Sequence, residues 1–253
     1  MHVILVHGAG GSSATWSSVA ALLDARGIPH TVADNPSQSL TEDTGRVTGL
    51  VQAAGEDVVL VGHSYGGAVI TNAGRSPGVR GLVYVAAWVP DEGESVQSIV
   101  RRYPPAEVSA HFTRGPAGEW IPVIDEASRL ALAWDVPEDI WAAAPERVSG
   151  DRVFSEVIGT PAWSALPSWY VLATSDKHIR VEAQRDMAMR AGASVVEVDT
   201  SHAVPHAAPD RLVEVIEAAV ASLAAGDAVP PAIQHEPSDN PALAVVQDGA
   251  HYS

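Results

Sequence analysis

The chain has 253 residues, 46% of them hydrophobic, no cysteine, and a formal net charge of −16. That length lets one large domain bury about 70 to 75% of its unfolded surface, and that apolar fraction excludes a mainly disordered protein. Without cysteine there can be no disulfide, thiolate metal site or cysteine nucleophile, and 15 Lys and Arg against 31 Asp and Glu argue against a nucleic-acid partner, which needs clustered cations.

In chain order, Met1 leads directly into the apolar run His2 to Val6, a core-like strand without the positive flank of a signal peptide. No later run approaches the ~20 apolar residues needed to span a bilayer, so the expected location is the cytoplasm, with no membrane partner. His7-Gly8-Ala9-Gly10-Gly11 follows the strand. Trp16, Val19, Leu22 and Leu23 then fall at helical spacing, closed by Gly27 before Pro29. His30 to Ala33 reads as a weak second strand, Thr41 to Ala54 as a helix, Val58 to Val61 as a third strand, and Val79 to Ala87 as a fourth. Uniformly apolar strands alternating with helices predict a mostly parallel sheet of about six strands, with helices on both faces.

That rhythm breaks from Pro90 to Pro167, where four of the seven tryptophans fall: Trp120, Trp134, Trp141 and Trp163. A hairpin is predicted from His111–Arg114 to Glu119–Ile121, and helices over Glu126–Trp134 and Pro137–Ala144. So long a connection must carry structure of its own, and residues 90–167 are expected to form a cap over the sheet's C-terminal edge, splitting a core of 1–89 and 168–226. The alternation resumes with a strand at Trp169–Ala173, a helix at Val181–Ala191, a strand at Val195–Val198, and an amphipathic helix at Pro209–Ala225 closed by Gly226. The proline-rich remainder, 227–253, reads as an extended tail, one that could lie along the body or a neighbouring subunit in a homodimer.

The chemistry begins at Gly62-His63-Ser64-Tyr65-Gly66, between the third strand and a helical run. G-x-S-x-G at a strand-to-helix junction is a nucleophile elbow, with Ser64 strained and its hydroxyl standing above the strand end. About one chain in seven of this length and composition would contain the pentapeptide by accident, so its context decides. A serine needs a base, and the base an orienting acid. Asp176 follows the strand Trp169–Ala173, and His202 the strand Val195–Val198. Ser, Asp, His is the order expected for an elbow nucleophile, with each residue at a strand's C-terminal end. His206 is the rival base, and Asp199 and Asp91 are the rival acids. His63, inside the elbow, reads as structural, and His178 as an exposed loop residue. The backbone N–H groups of Tyr65 and Ala9 are the expected oxyanion donors. His7 reads as a loop anchor, and the glycines around it match no phosphate loop.

His7-Gly8, the Ser64 elbow, Tyr84 to Pro90, Ser168 to Thr174, Asp176 and Ser201-His202 together resemble the small serine α/β-hydrolases grouped with plant hydroxynitrile lyases and methylesterases, particularly their bacterial esterase-like relatives. The resemblance runs to about Gly226. It implies an α/β-hydrolase fold with a lid-like cap after the fourth strand, a Ser64, Asp176, His202 triad, oxyanion donors at Ala9 and Tyr65, and neither cofactor nor metal. Ala203 stands where the lyases carry a lysine, and Gly8 where they carry a threonine, which sets the chain apart from them. The expected activity is hydrolysis of a small ester or lactone, with Trp88, Trp134 and Trp141 lining an apolar pocket or packing in the core. The alternatives are a cofactor-independent lyase or oxygenase using the same triad as a base, and a non-catalytic ligand receptor.

Overall fold

The computed structural model describes residues 1–114, 120–123, 125–142 and 147–226. The expected tail, 227–253, and parts of the predicted hairpin and of the predicted helix Pro137–Ala144 lie outside them. Six parallel strands form one sheet: β1 (His2–Val6), β2 (His30–Ala33), β3 (Val58–His63), β4 (Val79–Val85), and, after the inserted segment, β7 (Ser168–Ala173) and β8 (Ser194–Val198), in the order β2-β1-β3-β4-β7-β8.

Along the central strands, successive residues enter two different cores. Ile4, Val6, Leu60 and Tyr84 face one layer, while Val3, Leu5, Val61 and Val85 face the other. This is why the strands lack polar alternation: both faces are covered, and each fully buried aliphatic side chain contributes about 1.5 to 3 kcal/mol. The first layer holds α2 (Leu40–Ala54), α3 (Gly66–Ala73) and α8 (Val181–Arg190), and the second holds α1 (Ser17–Ala25) and α10 (Pro209–Ala225). Ser39 caps α2 by accepting the N–H of Glu42 at 3.1 Å, and Gly55 closes it with φ 64°.

The structure departs from the predicted bounds at three instructive places. Trp16 ends a 3-10 turn, Ser13–Trp16, instead of starting α1. β4 stops at Val85, not Ala87, because Ala86 takes a φ of 41° and turns the chain out of the sheet. Between β4 and β7 lie α4 (Val96–Val100), the hairpin β5 (Phe112–Arg114) with β6 (Trp120–Pro122), α5 (Glu126–Leu132), α6 (Glu138–Ala142) and α7 (Arg152–Ser155). Here α5 ends two residues before the predicted Trp134, since Ala133 leaves helical geometry at ψ 44°. A short helix absent from the sequence reading, α9 (Val204–Ala207), precedes α10. Among the described residues no helix is long and apolar enough to cross a membrane.

Candidate active site

The turn from β3 into α3 leaves Ser64 at φ 55°, in the left-handed region. A Cβ on Gly62 would sit 2.5 Å from the carbonyl oxygen of Gly66, and one on Gly66 would sit 2.4 Å from that of Val6. Both positions therefore demand glycine, and the strain they permit is held by the sheet. The Ser64 N–H donates to Val85 O at 3.1 Å, and its carbonyl accepts the N–H of Gly67 and of Trp88 at 3.0 Å each. Ser64 itself stays partly exposed, and its hydroxyl makes no hydrogen bond among the described residues.

The loop after β1 lies against this turn: a Cβ on Gly8 would come 2.9 Å from that of Ser64. His7 fixes the loop. Its Nδ1–H donates to Gly8 O at 2.8 Å, and its Nε2 accepts the Asn35 N–H at 3.0 Å. With both nitrogens occupied and the ring buried, which lowers its pKa, His7 is an anchor. The amide N–H groups of Ala9, which follows Gly8, and of Tyr65, which follows Ser64, donate to no protein acceptor among the described residues. Below them, Tyr65 Oη–H donates to Asp43 Oδ2 at 2.9 Å. Asp43, fully buried on α2, also accepts the Ser37 N–H at 3.2 Å.

The structure brings Asp176 and His202 together. His202 Nδ1–H donates to Asp176 Oδ2 at 2.7 Å. The same carboxylate accepts the N–H of His178 at 2.6 Å and of Ile179 at 2.9 Å on Oδ1, and Gln184 Nε2 at 2.9 Å on Oδ2. Burial pushes the carboxyl up to about 6, opposed by the charge of the neighbouring His178 ring and by the amides of Ile179 and His178. At neutral pH it is an acceptor-only carboxylate, which fixes the His202 tautomer with Nε2 free as a base. Burial lowers the His202 pKa to about 3, so its resting form is neutral.

The rivals make no hydrogen bond to this pair among the described residues. Asp199 accepts the hydroxyls of Ser175 at 2.8 Å and Thr174 at 3.3 Å. Asp91 Oδ1 accepts the N–H of Glu92, and His206 makes no side-chain hydrogen bond among the described residues. His63 donates from Nε2 to His202 O at 2.8 Å, a structural tie. His178 corrects the sequence reading: it is half-buried, and its ring stacks on that of His202 with centroids 4.4 Å apart and planes 15° apart. Sequence reasoning also missed Gln184, a buried amide on α8, and Asp135, whose Oδ2 accepts the Ser201 N–H at 2.7 Å while Oδ1 is buried without a partner. Trp88 is buried beside Ser64, Trp134 is 51% exposed two residues beyond α5, and Trp141 is half-buried in α6.

Donor atoms of Asp176, His178 and His202 lie within 4.8 Å of one another. They do not converge on a metal position: Nδ1 of His202 is engaged by Asp176, and parallel rings direct their in-plane lone pairs side by side. A cavity of about 240 Å³ is lined by Glu107, Thr174, Ser175, Asp176, Lys177 and Arg180 among others. Ser64 and His202 are outside its lining, and its cations are paired, Lys177 with Glu107 at 3.0 Å and Arg180 with Glu182 at 3.5 Å.

A strained serine at a parallel strand's end, with a carboxylate-bound imidazole on the loop after another strand of the same sheet, points to a class. Residues 3–215 match the model of the alpha/beta hydrolase family, and the chain belongs to that family. It is 28% identical over 246 residues to a pyrethroid hydrolase of Sphingobium wenxiniae, covering 85% of each chain. A carbendazim hydrolyzing esterase of Nocardioides sp. is 48% identical over 62 residues, a match spanning 24% of this chain and 26% of that esterase. The crystal structure of a pyrethroid hydrolase from Sphingobium faniae superposes with a TM-score of 0.77 at 22% identity, covering 89% of this chain and 99% of the other. That of polyneuridine aldehyde esterase gives 0.72 at 18% identity, covering 87% and 98%. These two share the fold.

Proposed function

We propose that this α/β hydrolase is a serine esterase that cleaves a small, largely apolar carboxylic ester or lactone through an acyl-enzyme on Ser64. The observation that carries the reading is the Asp176–His202 hydrogen bond at 2.7 Å, with His202 tied at its carbonyl to His63, the residue before the left-handed Ser64. Ser64 Oγ attacks the carbonyl carbon as His202 Nε2 takes its proton, and the carbonyl π electrons move to oxygen, where the Ala9 and Tyr65 N–H groups receive the charge. As the oxyanion collapses, the bond to the alcohol oxygen breaks and His202 gives that oxygen its proton; in the second half His202 takes a proton from water, which attacks the acyl carbon, and returns it to Ser64 Oγ as the acyl–serine bond breaks. Asp176 holds the imidazole in the right tautomer and balances its charge. The Ser64–His202 hydrogen bond forms as substrate fills the site, as catalytic contacts often do.

Trp88, Trp134 and Trp141 supply the apolar walls for the acyl or alcohol part, with residues 90–167 as the cap that selects it. The names of two relatives, a carbendazim hydrolyzing esterase and a pyrethroid hydrolase, support the reading as an esterase.

The test is hydrolysis of p-nitrophenyl acetate and butyrate by wild type and Ser64→Ala. Loss of the nucleophile is expected to lower kcat by several orders of magnitude; in subtilisin the equivalent loss is about a millionfold. Equal rates in the two proteins would overturn the proposal.

A further inference from the structure

Two other imidazoles press on the ring of His202, and the two contacts differ in kind. His63 meets it at a centroid distance of 4.7 Å with planes tilted 43°, and His63 is held by its own bond to His202 O. His178 lies nearly parallel, at 4.4 Å and 15°. Neither ring nitrogen of His178 makes a hydrogen bond among the described residues, and its Nδ1 is buried without a partner. Native structures seldom keep a buried polar atom in that state without a compensating role. What ties His178 down is its backbone N–H, donated to Asp176 Oδ1 at 2.6 Å, and the face of its ring.

That face supplies something the carboxylate cannot. The bond from Nδ1 to Asp176 fixes one atom of the His202 ring but leaves the ring plane soft, because χ2 of histidine has broad wells. Rotation of the plane swings Nε2 away from Ser64. A second ring laid flat against the first removes that freedom.

We propose that His178 is a positioning residue for the reaction: its imidazole, stacked on His202, holds the ring plane in which Nε2 can reach Ser64. The inference rests on the reading of Ser64, Asp176 and His202 as the hydrolytic triad. It assigns the role to the flat face of the side chain and to neither nitrogen. A misplaced base costs rate without costing substrate affinity, and displacements near 1 Å suffice for about a hundredfold.

The experiment measures kcat and KM for p-nitrophenyl butyrate, with thermal melting, on His178→Ala, His178→Phe, His178→Leu and the control Ser64→Ala. His178→Ala is expected to lower kcat by about 10- to 100-fold with KM within about threefold of wild type. His178→Phe, flat but unable to carry a proton, should restore kcat to within about threefold, and His178→Leu, which fills the space without a flat face, should not. Wild-type kcat in the alanine variant overturns the proposal. So does a folded phenylalanine variant as slow as the alanine one, which would give the role to a nitrogen. A leucine variant as fast as the phenylalanine one also overturns it, and that comparison decides the matter if His178→Ala does not fold. Full activity in Ser64→Ala overturns the triad reading and this proposal with it. Loss there alongside wild-type rates in His178→Ala overturns the proposal alone.

Discussion

Lowering the pH should unfold this protein over a window set by its buried imidazoles. His63, His178 and His202 each have a pKa lowered to about 3, chiefly by burial, so in the unfolded chain they bind protons below about 6.5 that the native state refuses. Such groups contribute stability that is present above the unfolded pKa and is lost as pH falls through it. Asp176 acts in the opposite sense: its pKa is raised to about 6, so the native state gains a proton there, and protonation favours folding between pH 6 and about 4. Three protons bound on unfolding, less one released, leave two, which makes the slope on the order of 3 kcal/mol per pH unit. Titration is partial near pH 6.5, so these four groups together lose about 3 to 4 kcal/mol between pH 6.5 and 5. His7 and His206, also lowered by burial, add in the same direction. Against a typical stability of about 5 to 15 kcal/mol this is a large fraction. Urea titrations followed by tryptophan fluorescence at pH 7.0, 6.5, 6.0, 5.5 and 5.0 measure it, and His178→Phe should flatten the slope by up to one proton. A stability constant from pH 7 to 5 would refute the reasoning.

Two substitutions test the supports beneath the candidate site. Tyr65→Phe removes the hydroxyl donated to buried Asp43 at 2.9 Å; leaving that carboxylate with the Ser37 amide alone should cost about 1 to 3 kcal/mol, seen as a lower urea midpoint with an unchanged slope. Gln184→Leu withdraws the side-chain N–H from Asp176 Oδ2 and from Ile179 O; a similar loss of stability is expected together with a lower kcat, and an unchanged kcat would show that the remaining donors hold Asp176 unaided.

The sheet was legible because a strand covered on both faces must be apolar along most of its length, as β1 is from Val3 to Val6, β3 from Val58 to Val61 and β7 from Trp169 to Ala173. The elbow was legible for a related reason: contacts of 2.4 and 2.5 Å at Gly66 and Gly62 admit only glycine, so the turn writes itself into the sequence. Asp176 and His202 could be found because strand ends locate them. His178, Gln184 and Asp135 could not, since each acts through a partner that only the tertiary fold brings near. Gln184 carried a faint signal, one amide on a helix face otherwise formed by Ala183, Met187 and Ala188; His178 carried none, for a loop histidine reads alike whether it faces water or another ring. The end of α5 was missed because Ala133 obeys a distant contact, the reach of Asp135 to Ser201, over its own helix propensity.

That reach bears on how substrate choice and chemistry are connected. Asp176 and His202 stand on loops after β7 and β8, and β8 is the sheet's edge, half-buried over most of its length. Such loops are weakly held by the sheet alone. The segment inserted between β4 and β7 grips both: the Val108 N–H donates to Lys177 O at 3.0 Å, Glu107 pairs with Lys177 at 3.0 Å, and Asp135 takes the Ser201 N–H at 2.7 Å. The grip on the His202 loop falls one residue from Trp134, a proposed wall of the substrate pocket. A substrate that shifts Trp134 therefore pulls on the residue before His202, and one that leaves it in place does not. Under the proposed function, selectivity then resides in kcat as well as in KM, because fit in the inserted segment is passed through Asp135 to the placement of the base.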